Sequence, residues 1–169
     1  MGRINLEHYI VKINWIEPGV VAASGIPLGV KDLQSLYEQG IRAIVTLTEH
    51  PLTVQEEITT QVLAEIGLTC LHAPIVDQYP PDMATVRETA QFINQMKAQG
   101  QPVLLHCHAG VGRTGTMLHA YYLAEGFSLE EAKAKVKTYK PSSQFFMLSD
   151  AQKTFLETFA KVDEDNTSS

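Results

Sequence analysis

His106-Cys107-His108-Ala109-Gly110-Val111-Gly112-Arg113-Thr114-Gly115-Thr116, near the middle of a chain of 169 residues, is the stretch whose reading decides the fold. Pro102-Val103-Leu104-Leu105 before it is an apolar run of strand length. Residues 116–125 after it are mostly apolar until Gly126, the pattern of a buried helix with a glycine stop. The unit is therefore strand, tight loop, helix, with a cysteine at the first turn of the loop and an arginine where the helix starts. Gly110 and Gly112 allow such a loop to curl so that successive backbone N–H groups converge, which makes a nest for an anion. The helix N-terminus adds its partial positive charge at the same spot. A thiol held there ionises more readily, because the field favours the thiolate. Arg113 supplies a planar fork for two oxygens of a tetrahedral oxyanion. An oxyanion held above a thiolate is the geometry of phosphoryl transfer to cysteine.

Outward from this unit, strands alternate with helices. Residues 14–24 read as two short strands around the turn Glu17-Pro18-Gly19, with Trp15 as a core or hairpin aromatic. Val30, Leu33, Leu36 and Tyr37 share a helical face closed by Gly40, and Ile41 to Thr48 is a buried strand. Thr53 and Glu56 have capping-box spacing, so a helix is expected from about Thr53 to Gly67 with Val54, Ile58, Val62 and Ile66 as its stripe. Thr69 to Ile75 is the next strand, with Cys70 read as a core thiol. Asp82 is placed to cap a helix over Met83, Val86, Ala90 and Ile93 that ends at Gly100. Ser128 and Glu131 form a second capping box before a helix that stops ahead of Pro141, and a last helix starts near Ser149 or Asp150. The expectation is a single α/β domain over residues 1–162, with a polar C-terminal tail at 163–169. Its mostly parallel sheet carries helices on both faces. Ligands of open α/β sheets sit beyond the carboxyl ends of the strands. Thr48-Glu49-His50, Val76-Asp77-Gln78 and the loop at Cys107 all reach that edge.

A cysteine, five residues, an arginine and a threonine, with a histidine in front, resembles the signature loop of cysteine-dependent protein tyrosine and dual-specificity phosphatases. The short chain and the Gly-Arg-Thr-Gly-Thr ending are most similar to the small atypical dual-specificity phosphatases. The resemblance implies Cys107 as nucleophile and Arg113 with the loop His108, Ala109, Gly110, Val111 and Gly112 as the phosphate cradle. It further implies that His106 braces the loop and that the Thr114 hydroxyl donates to the thiolate. Asp77 is the candidate general acid. A leaving oxygen needs a proton, and a carboxylic acid on a loop beside the phosphate can give it. Asp77 also lies 30 residues before Cys107, at the end of the preceding strand, where the resembled phosphatases carry their acid. Asp82 competes for the role, and Gln144 and Gln152 compete to position the hydrolytic water. No lysine lies between Cys107 and Arg113, which favours phosphorylated protein or peptide side chains over highly charged inositol phosphates as substrates.

Composition excludes other classes. The net charge is −6 without a lysine or arginine run, so neither nucleic acid nor an anionic membrane is an expected electrostatic partner. No apolar run approaches the length of a bilayer span, and Met1 to Leu6 lack the features of a signal peptide or a myristoylation site. Two cysteines do not make a disulfide framework, and a reactive thiolate needs a reducing compartment; a cytoplasmic monomer is expected. A metal held by His106, Cys107 and His108 is disfavoured, since a helix N-terminus with an arginine repels cations. No cofactor is expected. A module that captures phosphorylated partners without turnover is the rival reading; such a module would have lost the cysteine or the acid, and both are present.

Overall fold

The computed structural model describes residues 10–168. The readings placed on Met1 to Leu6 lie outside the described residues. Two antiparallel strands, β1 (Asn14–Glu17) and β2 (Val21–Ser24), form the expected hairpin. Helix α1 (Gly29–Glu38), β3 (Ala43–Thr46), α2 (Thr60–Ile66) and β4 (Thr69–His72) follow. The second half holds α3 (Met83–Ala98), β5 (Val103–His106), α4 (Gly112–Ala124), α5 (Leu129–Tyr139) and α6 (Asp150–Thr167). The sheet order is β1-β2-β5-β3-β4, with every pair parallel except β1 with β2.

This order puts β5 at the centre, between β2 and β3, so the strand carrying the cysteine loop is paired on both edges. The period of two along each strand then divides the core. Val21, Ala23, Ala43, Val45, Val103 and Leu105 join one apolar cluster with residues of α3, α4, α5 and α6. Ala22, Ile44 and Leu104, the residues between them, join a second cluster with α1 and α2. Helices therefore cover both faces, and the central strands read as unbroken apolar runs for that reason. Helix α4 is buried almost all round, from Arg113 to Leu123. Its neighbours approach without room to spare at Gly115, where a Cβ would lie 2.8 Å from the Ser143 carbonyl oxygen.

Several expectations are corrected. The chain after Pro51 makes only a 3-10 turn at Leu52–Val54, and α2 begins at Thr60. Thr59, not Thr53, is the N-cap, accepting the Val62 N–H at 3.0 Å. Val54 is exposed, whereas Ile58 and Leu63 reach the second cluster. Spacing alone does not separate the two threonines, because Val54 and Ile58 keep helical register whether or not the turn between them is helical. Cys70 is another. It lies on β4, the edge strand, and is exposed. The strands themselves are shorter than read, each of four residues. Helix α6 runs on to Thr167, past residue 162 where a polar tail was expected. Both other capping assignments are observed: Asp82 accepts from Thr85, and Ser128 with Glu131 forms a reciprocal box.

Thr59→Ala is expected to lower unfolding free energy by about 1 kcal/mol, whereas Thr53→Ala changes it by a few tenths at most. Denaturant unfolding of the two variants side by side measures the difference; equal losses would restore the longer helix.

Candidate active site

The loop after β5 is built by turning its carbonyls outward. The His106 carbonyl accepts from the Leu47 N–H at 2.9 Å, and the His108 carbonyl accepts from the Ile26 N–H at 2.9 Å. The carbonyls of Gly110 and Val111 both lie within reach of the Ser143 hydroxyl, at 3.1 and 2.9 Å. In a trans peptide the carbonyl and the next N–H point in opposite directions. The N–H groups of Ala109, Val111 and Gly112 therefore point away from these partners, the orientation an anion nest requires. Gly110 allows the curl: its φ is 74°, and a Cβ there would collide with the Ser24 carbonyl. Helix α4 starts at Gly112 and directs its N-terminus at the same interior.

Cys107 is 3% exposed, and its sulfur accepts from the Thr114 hydroxyl at 3.1 Å. His106 is fully buried behind it. One ring nitrogen lies 2.8 Å from the Thr46 hydroxyl and the other 3.0 Å from the Cys107 carbonyl, so the ring bridges β3, β5 and the loop. Burial pushes its pKa down to about 4, with a backbone bond opposing the shift. The ring is therefore neutral near neutrality, and nothing in its surroundings makes it a proton donor to the cleft. Arg113 is 7% exposed and is aimed by three groups. Its Nη1 donates to the Ile75 carbonyl at 3.2 Å and lies 3.5 Å from Glu49 Oε1, while its Nε lies 3.7 Å from Asp77 Oδ1.

Asp77 and Arg113 meet because β4 and β5 end at the same edge of the sheet, separated only by β3. A turn closed by the Tyr79 N–H on the Val76 carbonyl, 3.0 Å, carries Asp77 and then Gln78, whose φ is 70°. The cleft between this turn and the loop has a volume of about 290 Å³ and is lined by Asp77, Cys107, His108, Arg113, Met147 and Gln152, among others. Asp82 lies outside that lining. Its carboxylate caps α3, where bonds from the Thr85 N–H and hydroxyl hold its pKa below the usual carboxylate range. Of the two glutamines, Gln152 lines the cleft and Gln144 does not. Among the described residues, no group of three His, Cys, Asp or Glu side chains is arranged to hold a metal ion.

Three contributors were missed from sequence. Glu49 touches Arg113 and also accepts the Asp77 N–H at 3.4 Å; its position at the carboxyl end of β3 was the available signal. Ser143 clamps the loop from behind, and Ser149 reaches the turn that carries Asp77 through the Gln78 carbonyl at 2.7 Å. Neither serine carries a signal in composition or spacing, because both act across long separations.

Comparison with known proteins agrees with this geometry. A family model described as "Tc-R-P: Polymorphic toxin system, DSP-PTPase phosphatase" matches residues 21–127, from β2 through the end of α4. The chain belongs to the DSP-PTPase phosphatases, a family of cysteine-dependent phosphatases. Among curated proteins it is 28% identical to dual specificity protein phosphatase 12 of Rattus norvegicus, over 76% of this chain and 36% of that protein. The human phosphatidylglycerophosphatase and protein-tyrosine phosphatase 1 is 29% identical over 82% of this chain and 69% of that protein. The chain thus spans about a third of the first of these relatives. Tk-PTP in its active form superposes with a TM-score of 0.74 at 27% identity, covering 88% of this chain and 96% of that one. PTPMT1 superposes at 0.75 with 21% identity, covering 93% and 99%, a likeness of fold.

His106 and His119 give the fold an acid limit. His119 is also buried, with Nδ1 2.6 Å from the Gly115 carbonyl, and burial pushes its pKa down to about 4. Above pH ~6.5 both rings are neutral in folded and unfolded chains alike. Below it the unfolded chain takes up protons that the native state refuses until about 4, so unfolding free energy falls as pH drops through that window. The loss is expected to total a few kcal/mol, on the order of 1 kcal/mol per pH unit for each ring. His119→Gln should flatten the slope of unfolding free energy against pH in this range; an unchanged slope would show that this ring does not titrate there.

Proposed function

We propose that the chain is a phosphomonoester hydrolase that works through a phosphocysteine intermediate. Its substrates are phosphotyrosine and, where the cleft admits them, phosphoserine and phosphothreonine in proteins. The observation that carries this reading is the convergence of the Cys107 sulfur, the Arg113 fork and the Asp77 carboxyl on one cleft. In the first step the Cys107 thiolate attacks phosphorus, an S–P bond forms and the ester P–O bond breaks. The leaving oxygen takes the proton of Asp77. The loop N–H groups and Arg113 hold the equatorial oxygens, supplying charge stabilisation where it grows in the transition state. In the second step water attacks phosphorus and gives a proton to the Asp77 carboxylate, while the S–P bond breaks. The Thr114 hydroxyl, already bonded to the sulfur, stabilises the thiolate as it leaves. Glu49 and the Ile75 carbonyl keep the guanidinium turned toward the loop.

A second reading, hydrolysis of a non-protein phosphomonoester such as a phosphoinositide, draws support from the relative named phosphatidylglycerophosphatase and protein-tyrosine phosphatase 1. Against it, the carboxylates of Asp77 and Glu49 flank Arg113, which disfavours a substrate bearing several phosphates. A free nucleophilic thiol fits a monomer in a reducing compartment such as the cytoplasm. No helix among the described residues is long and apolar enough to cross a membrane.

Steady-state hydrolysis of an aryl phosphate, phosphotyrosine, phosphoserine and phosphothreonine peptides, and phosphoinositides decides between the two readings. Cys107→Ser is expected to reduce turnover to background while phosphate binding persists, since a serine hydroxyl stays protonated near neutrality. Substantial residual turnover would sink the covalent mechanism. Arg113→Lys should lose about a hundredfold or more in kcat, because a point charge does not reproduce the bidentate grip.

Asp77→Asn should cost about 10²–10⁴-fold in kcat/KM for an alkyl phosphate and much less for para-nitrophenyl phosphate, whose leaving group needs no proton. Asp82→Asn should leave that contrast untouched. The reverse pattern would move the acid to Asp82.

A further inference from the structure

Helices α5 and α6 both begin with a reciprocal capping box, but the two boxes differ in what they do next. In α5 the box is Ser128 with Glu131, and its bonds close it on itself: Glu131 N–H to the Ser128 hydroxyl at 3.1 Å and Ser128 N–H to the Glu131 carboxylate at 2.8 Å. In α6 it is Ser149 with Gln152. The Ser149 N–H donates to Gln152 Oε1 at 3.0 Å, and the Gln152 N–H donates to the Ser149 hydroxyl at 3.2 Å. That leaves the Ser149 hydroxyl proton and the Gln152 amide protons free, and both are spent outside the helix. Ser149 donates to the Gln78 carbonyl at 2.7 Å, and Gln152 Nε2 approaches the Tyr79 carbonyl at 3.4 Å. Gln152 is 1% exposed, and its amide lies 3.6 Å from where a Cβ on Gly112 would stand, so it also rests on the phosphate loop.

The turn grasped in this way is the one that carries Asp77. Gln78 holds φ at 70°, the sole non-glycine residue in the left-handed region among those described. That region is costly for a residue with a Cβ and persists where surrounding contacts fix it. The bond from Ser149 is made by the carbonyl of that same residue. No other helix cap among the described residues reaches the turn; its further ties are longer, the Gln152 amide on the Tyr79 carbonyl at 3.4 Å, the Asp77 N–H on Glu49 at 3.4 Å and the Asp77 carboxylate beside Arg113 at 3.7 Å.

We propose that Ser149 is a positioning residue for the general acid, its hydroxyl proton locking the Gln78 carbonyl so that Asp77 is held beside the phosphate loop. The proposal rests on the reading of Asp77 as the acid. It turns an ordinary helix N-cap into a staple between the start of α6 and the acid-bearing turn, across 71 residues of sequence. The two duties of the hydroxyl are separable. Aspartate is as good an N-cap as serine, but its ionised carboxylate has no proton for a carbonyl. Ser149→Asp therefore keeps the cap and removes the staple, while Ser149→Thr keeps both.

The test measures kcat/KM for benzyl phosphate, a poor leaving group, and for para-nitrophenyl phosphate, together with thermal midpoints. Because Ser149 also lines the cleft, the carboxylate of Ser149→Asp lowers kcat/KM on both esters by repelling the phosphate; the staple is read in the ratio, a further loss of roughly three- to tenfold on benzyl phosphate, the worth of one hydrogen bond. Ser149→Thr should match wild type on both. Ser128→Ala, which removes a box whose two bonds stay within the start of α5, should lower the midpoint and leave both kinetic constants alone. If Ser149→Asp lowers both substrates equally, or neither, while Asp77→Asn discriminates between them, the staple is refuted and the acid assignment stands. If Asp77→Asn also fails to discriminate, the acid assignment falls and the staple with it. Should Ser149→Asp not fold, the same ratio in Ser149→Ala against Ser149→Thr decides the matter.

Discussion

The structure depends on the direction of a few peptide planes. An anion nest needs several consecutive N–H groups pointing one way, and the carbonyls they leave behind must be satisfied somewhere else. Here the leftover carbonyls are taken up on two sides: by Leu47 and Ile26 N–H groups from the strand ends and by the Ser143 hydroxyl from the segment after α5. The loop is thus a shared surface of three separate regions of chain rather than a local turn. Sheet order follows from this need. Only with β2 and β3 on either side of β5 do residues 24–26 and 46–47 lie where the loop can lean on them.

The same arrangement explains why an arginine can be almost fully buried next to a sheet of aliphatic side chains. A buried guanidinium is tolerable when its donors and charge are answered. Arg113 has the Ile75 carbonyl and the carboxylates of Glu49 and Asp77 close by, although its Nε makes no hydrogen bond within the protein. Both carboxylates are largely exposed, so their attraction is softened by water and the guanidinium keeps a face toward the cleft. The site thus carries carboxylates at its mouth and a cation at its base.

Much of this was legible in the residues. The alternation of apolar runs and glycine stops gave the order of elements, and the loop's glycines with Cys107 and Arg113 gave the nest. Asp77 could be singled out because the ends of parallel strands share an edge. What could not be read was whatever depends on a face being covered or left open. Cys70 sits in an apolar-looking strand, but only the packing of β4 at the sheet edge leaves it exposed. Thr53 and Thr59 both precede plausible helical stripes, and the choice falls to Leu52 and Ile58 entering the core around a 3-10 turn. Ser143 and Ser149 are ordinary serines in sequence; their importance is a matter of which carbonyl stands opposite them in space.

Dependence on distant braces also sets an order of assembly. Residues near 24 leave the ribosome early, whereas Ser143 follows Cys107 by 36 residues and the cap of α6 comes later still. Closing such long loops is slow relative to forming helices. Until Ser143 is in place, the peptides at Gly110 and Val111 lack the hydroxyl that bonds their carbonyls. Before these segments dock, the Cys107 thiol therefore sits in a loop without a finished cradle.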